Sequence, residues 1–233
     1  MMKSSSEVSE VDAPRDENEP AWRQRAVSRS LSAARSRAEQ RVQRFLDAAF
    51  DLIDEKGTTE FTIQEVVDRS KQSLRGFYQY FDGKDDLLLA LFEETTRESV
   101  LDIRKFVESE AEPVARLRAF TIRLHEWCEP PGGPRKRGTH NRRPISEFSL
   151  QLVMNHPERV RAAMTSISRL LVELLDDAVR AGAFQVVDTR RTAVLMQQTV
   201  MFSWIGNRVI ENTRLRVSGE ETWEFCLRCL RGS

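Results

Sequence analysis

Between Thr62 and Lys84 the chain gathers side chains whose chemistry suits nucleic acid. Arg75 carries a guanidinium fork that matches the edge of guanine, and Gln79 a carboxamide that matches adenine. Lys71, Gln72 and Leu74 complete the group read as lying near base edges. Thr62, Ser73, Tyr78, Tyr80 and Lys84 offer hydroxyls and an ammonium to phosphate oxygens, which set register without reading sequence. Gly76 sits among them without a side chain, at a cost of about 1 kcal/mol in helix propensity, and leaves room for a phosphate to approach.

Such groups act together only if short helices hold them. Val42, Phe45, Leu46, Ala49, Leu52 and Ile53 recur at steps of three and four residues, which predicts a helix over 38–56 that stops at Gly57. Thr62 and Glu65 then fit a capping box, and Phe61 with Val66 a hydrophobic staple, so a second helix starts there and runs to about Arg69. Ser73 is a natural N-cap for a third, through Tyr80. Two short helices across a tight turn, braced by a longer one, make a helix-turn-helix. Phe77 and Phe81 read as core of that unit.

The order Thr62-Ile63-Gln64-Glu65-Val66-Val67, Ser73, Phe77-Tyr78-Gln79-Tyr80-Phe81 and Lys84-Asp85-Asp86-Leu87-Leu88 resembles the TetR family of bacterial transcription regulators. The resemblance covers Phe61 to Leu91. It implies an all-α fold: a three-helix DNA-binding domain over 38–83, and a larger helical ligand-binding and dimerisation domain over 84–233. It also implies a homodimer on a palindromic double-stranded operator, and a phosphate contact from Tyr78. The chain departs from the family where Lys71-Gln72 replaces the usual glycine and apolar residue of the turn.

Composition constrains the rest. The 233 residues carry 36 Lys+Arg against 36 Asp+Glu, so any affinity for nucleic acid must come from uneven placement of charge. The unevenness is large. Acids dominate residues 1–19, whereas Arg23, Arg25, Arg29, Arg35, Arg37, Arg41 and Arg44 face a single acid, Glu39. Residues 1–37 therefore read as a disordered acidic tail leading to a basic arm, with Arg23, Arg25, Arg29, Arg35 and Arg37 suited to the minor groove beside a half-site and Arg44 to the DNA-contacting set. A solvated leader in an arginine-rich protein accounts for the same residues.

Beyond residue 84, apolar periods predict helices over 84–110, 113–129, 144–154, 157–181, 189–212 and 219–230, with no strand and no repeat. The segment 193–205 is apolar on nearly every face and must be covered on all sides, which suits a dimer contact shared with Trp223, Phe225, Leu227 and Leu230. Phe120, Leu124, Trp127, Phe148, Leu152, Met164, Ile167, Leu171, Met196 and Thr199 either line a pocket for a lipophilic effector or fill a core. Arg135, Lys136 and Arg137, in a Pro/Gly-rich loop, would suit the anionic head of an acyl-CoA. A repressor released by such a ligand is one reading; a helical adaptor for protein contacts is the other.

No apolar run is long enough for a membrane span and the amino terminus lacks a signal-peptide core, so a cytoplasmic protein with reduced cysteines is expected. His125, Cys128, Cys226 and Cys229 have the arithmetic of a zinc site, but amphipathic helices account for them without metal. With no nucleophile elbow, no metalloprotease motif and no phosphate-binding glycine loop, neither catalysis nor a cofactor is expected. If the basic arm touches phosphates, deleting residues 1–37 weakens DNA binding and flattens its salt dependence, read as the slope of log affinity against log salt. An unchanged slope assigns the arm to solvent.

Overall fold

The computed structural model describes residues 20–128, 146–210 and 213–232, and every regular element among them is helical. The order is α1 (Ala21–Lys56), α2 (Ile63–Ser70), α3 (Leu74–Phe77), α4 (Lys84–Glu108), α5 (Pro113–Cys128), α6 (Ser146–Asn155), α7 (Pro157–Arg180), α8 (Thr189–Val209) and α9 (Gly219–Arg231), with a 3₁₀ turn at Thr213–Leu215. Two units are distinguished, Met1–Gln43 and Arg44–Ser233. Among the described residues no helix is long and apolar enough to cross a membrane.

The first unit corrects an expectation. The helix predicted from Ala38 starts at Ala21, directly after Pro20, so Arg23, Arg25, Arg29, Arg35 and Arg37 are helical. No glycine or proline interrupts Ala21–Lys56, and the arm is rich in alanine and arginine, both good helix formers. Arg35 Nε donates to Glu39 Oε1 at 2.8 Å, a supporting pair four residues apart. Apolar periodicity is weak here, which is why the period alone did not reveal the helix. These residues therefore form a helical arm instead of a flexible one.

In the second unit, the end of α1 packs on α2 and α3 through rings. Phe45 meets Phe77 edge-on at 5.6 Å and Phe81 at 6.0 Å, and Phe77 and Phe81 lie 5.3 Å apart. All three are buried, as are Phe61, Val66 and Val67. The capping box is formed: Glu65 N–H donates to Thr62 Oγ1, and Thr62 N–H donates to Glu65 Oε2 at 2.8 Å. Two ion pairs brace α1 against α2, with Arg69 bidentate on Glu55 at 2.6 and 2.7 Å and Lys56 Nζ on Glu65 Oε1 at 2.6 Å.

The remaining helices form a bundle in which α4 packs on α5 and α7, α5 on α8 and α9, and α7 on α8. Leu87, Leu91, Phe92, Leu117, Phe120, Leu124, Ile167, Leu171 and Val200 are almost wholly buried. A second capping box, Ser218 with Glu221, starts α9. Asn207 Nδ2 donates to Val217 O at 2.8 Å and its Oδ1 accepts from Val217 N–H at 2.9 Å, tying the chain before α9 to α8.

The Glu65 carboxyl is held at about 2, well below its ordinary 4.5, by the Lys56 ammonium first and the Thr62 N–H next. A folded-state value below the unfolded one gives a contribution that is complete above 4.5 and fades as pH falls toward about 2. Glu65→Gln should therefore flatten the acid limb of stability between about pH 4.5 and about pH 2, measured as urea midpoints. A wild-type acid limb in the variant would show that the pair does not matter to folding.

Candidate nucleic-acid interface

The turn between α2 and α3 shows how the chain manages without the usual glycine. Lys71 adopts φ 54° and ψ 38°, in the left-handed region, and is the one non-glycine residue at positive φ among those described. Its N–H donates to Asp68 O at 3.3 Å, and the Gln72 N–H to Val67 O at 3.2 Å, the paired bonds of a Schellman ending. A side chain in this conformation costs about 1 kcal/mol or more relative to glycine. Strain of this kind concentrates where side chains serve function.

α3 is shorter than predicted, ending at Phe77 instead of Tyr80. Tyr78 N–H still reaches Leu74 O at 3.2 Å, but Tyr80 N–H donates to Phe77 O at 3.0 Å, so the backbone tightens into turns. Gly76 disfavours helix, and Phe77 and Phe81 must both reach Phe45; together they set this geometry. Gly76 has a structural reason as well. A Cβ there would lie 3.1 Å from Ser73 Oγ, the atom that accepts the Gly76 N–H at 3.0 Å and caps the helix.

The side chains then divide by face. Phe77 points into the ring cluster, while Lys71, Ser73, Leu74, Arg75, Tyr78 and Gln79 are exposed. Leu74 and Tyr78 are 44% and 56% exposed, more than packing needs. Leu74 next to Arg75 joins an apolar group suited to a thymine methyl with a fork suited to guanine. Gln72 is half-buried, its Nε2 donating to Lys71 O at 3.3 Å. Tyr80 and Lys84 are also half-buried, and Lys84 Nζ lies 4.8 Å over the Phe61 ring. Arg44 is exposed on α1. Thr62 is exposed, but its hydroxyl donates to Glu65 Oε2 at 3.1 Å, so a phosphate there would compete with a carboxylate for that proton.

One connection escaped the sequence reading. Arg159, on the first turn of α7, places Nη1 2.7 Å from Asp86 Oδ1 and Nη2 3.1 Å from Glu93 Oε1. Asp86 Oδ2 also accepts the Asp82 N–H at 3.3 Å. The last turn of the helix-turn-helix is thus bonded, through one carboxylate, to a helix of the bundle. Asp86 shows in sequence only as an acid favoured at a helix start; its partner lies far along the chain.

The residues read as pocket or core fall into two places. Phe120, Leu124, Leu152, Met164, Ile167, Leu171 and Met196 are buried, and Trp127 is half-buried. Thr199 lines a groove of about 590 Å³ between α8 and α9 with Ser203, Val217, Phe225 and Arg228. The same groove corrects the proposed dimer residues. Trp223, Leu227 and Leu230 are buried within their own unit, whereas Phe225, with Val194, Leu195 and Phe202 of α8, is exposed. Arg135, Lys136, Arg137, the side chain of Phe148 and the acidic residues 1–19 lie outside the described residues.

Cys128 and Cys226 are buried and Cys229 is exposed, and burial pushes the Cys226 thiol up to about 11. Among the described residues no three His, Cys, Asp or Glu side chains are grouped to hold a metal ion.

Residues 45–91 match the family model of bacterial regulatory proteins of the tetR family. The chain is 33% identical over 86 residues to the transcriptional regulator AcuR of Cereibacter sphaeroides, a stretch that spans 36% of this chain and 39% of that relative's length. Among solved structures, RolR in complex with resorcinol superposes with a TM-score of 0.61 and 17% identity, over 84% of this chain and 89% of RolR. The fatty acid degradation regulator FadR of Bacillus halodurans gives 0.59 and 20%, over 81% and 99%. FadR of Bacillus subtilis, in complex with stearoyl-CoA, gives 0.54 and 16%, over 79% and 97%. At these identities the superpositions show the fold.

Replacing Lys71 by glycine should raise unfolding stability by about 1 kcal/mol while weakening binding to target duplex. Thermal melts and anisotropy titrations read the two effects separately. Unchanged DNA affinity would remove Lys71 from the interface.

Proposed function

Since the chain belongs to the tetR family of bacterial regulatory proteins, we propose that it is a DNA-binding transcriptional regulator, dimeric on a palindromic operator, and a repressor released by a lipophilic small molecule. The observation that carries the reading is the strained turn that presents Lys71, Leu74, Arg75 and Tyr78 outward while Phe77 anchors them from behind. In this division of labour residues 38–83 bind DNA and residues 84–233 bind effector and partner. Two recognition helices then meet adjacent major grooves about 34–36 Å apart.

The exposed apolar side chains Val194, Leu195, Phe202 and Phe225 support a second copy of the chain as the partner of α8 and α9. Resorcinol held by RolR and stearoyl-CoA held by FadR of Bacillus subtilis support a lipophilic effector; an acyl-CoA is one candidate. Release follows if the effector favours a packing of α7 on α4 that shifts Arg159, because Asp86 would carry that shift to the end of the helix-turn-helix. A coupling of about 1–3 kcal/mol changes operator affinity about 5- to 150-fold.

Genomic fragments retained by the purified protein at near-physiological salt should share a short palindrome found in few promoters. The Phe225→Glu variant, monomeric in ultracentrifugation, should retain the same fragments at least tenfold less well. Retention without a common motif, or none at all, would overturn the reading, the latter in favour of a helical adaptor.

A further inference from the structure

Among the buried side-chain polar atoms that the packing leaves without a hydrogen-bond partner are Thr96 Oγ1 on α4 and Trp127 Nε1 on α5. Thr96 is 1% exposed, and its hydroxyl has no hydrogen-bond partner. Its neighbours show what such a hydroxyl ordinarily does: Thr95 donates to Leu91 O at 2.7 Å and Thr121 to Leu117 O at 2.9 Å, each folding back on its own helix. Thr96 does not. The Trp127 indole N–H is likewise buried without an acceptor. An unmet polar group in an apolar interior is destabilising, and its presence needs a reason.

Helix registry brings the two groups to one level. α4 and α5 are consecutive, packed on each other and joined by a short turn, hence antiparallel, and Thr96 and Trp127 stand at nearly equal distances along the chain from that turn. α7 runs parallel to α4, since Arg159 reaches Asp86 and Glu93 while Arg104 pairs with Glu173 at 3.8 Å. That offset places Met164 level with Thr95 and Thr96. One turn before Thr96 on the same face lies Phe92, and Phe120 and Leu124 precede Trp127 on its face, all three buried. The level therefore combines aromatic rings, a thioether, one donor-only N–H and one hydroxyl that can donate or accept.

We propose that Thr96 and Trp127 are the polar anchors of the effector site, and that the effector is a compact, uncharged hydroxylated aromatic molecule. The Trp127 N–H donates to the effector's oxygen, and the Thr96 hydroxyl accepts from its O–H. The side chains assigned to this level carry no formal charge, which selects a neutral ring over an anionic head group. The inference rests on the ligand-responsive reading above and gives that site its residues and its ligand class.

The test uses resorcinol as probe, titrated calorimetrically into the full-length protein without DNA. Resorcinol should bind the wild type, and Thr96→Val and Trp127→Phe should each weaken it about tenfold, as loss of one buried hydrogen bond implies. Thr96→Val keeps the side-chain shape and removes an unpartnered hydroxyl, so its thermal midpoint should stay at or above that of wild type. No binding of resorcinol, equal binding by all three proteins, or binding of stearoyl-CoA alone would overturn the proposal. Fragment retention, measured separately, distinguishes the two failures: resorcinol binding with no DNA retention sinks the regulator reading and leaves the site standing.

Discussion

A helix of four residues cannot hold itself together. Helix nucleation is unfavourable, and a single turn gains too few hydrogen bonds to offset the ordering of its backbone. α3 exists because Phe77, on its inner side, is clamped edge-on by Phe45 and backed by Phe81. Everything the outer side presents depends on that clamp. The clamp in turn requires α1 and α2 to keep a fixed angle, which the Glu55–Arg69 and Lys56–Glu65 pairs help maintain. The rings supply the stability; exposed ion pairs contribute little individually and act mainly on geometry.

α4 links this small cage to the bundle. Its first turn receives the Asp82 N–H and Arg159, and its middle carries Phe92 and Thr96 into the interior. A continuous helix that touches the helix-turn-helix at one end and the core along its length is the element through which the proposed release would pass. The Asp86–Arg159–Glu93 contacts are partly solvated and have alternatives in water, whereas the leucines behind them do not. The charged contacts can thus change partners while the apolar packing keeps the helix intact.

Local chemistry was legible in the sequence. The capping box at Thr62 and Glu65, the cap at Ser73 and the ring spacing that builds the core all act within a few residues, and the structure forms each of them. Choices made by distant partners were less legible. The spacing of Trp223, Cys226, Leu227 and Leu230 marks the buried face of α9, but the helices that cover it, α5 and α8, lie far along the chain, and Phe225 on the opposite side stays exposed. The arm before Ala38 shows the opposite case, in which propensity without periodicity still makes a helix. Of the candidate interface, residue types and exposed faces were readable, but the left-handed Lys71 was visible only as a missing glycine.

The brevity of α3 has a consequence for information. One helical turn can aim about three or four side chains at base edges, so the dimer proposed above would specify on the order of seven base pairs directly. A sequence of that length recurs by chance about once in ~16,000 positions, while a genome offers roughly 10⁶–10⁹ competing sites. Direct contacts from so small an element therefore cannot single out a few promoters. The remaining discrimination would then come from DNA the helix never touches, through groove width and bendability, and from the half-site spacing that two joined copies would impose.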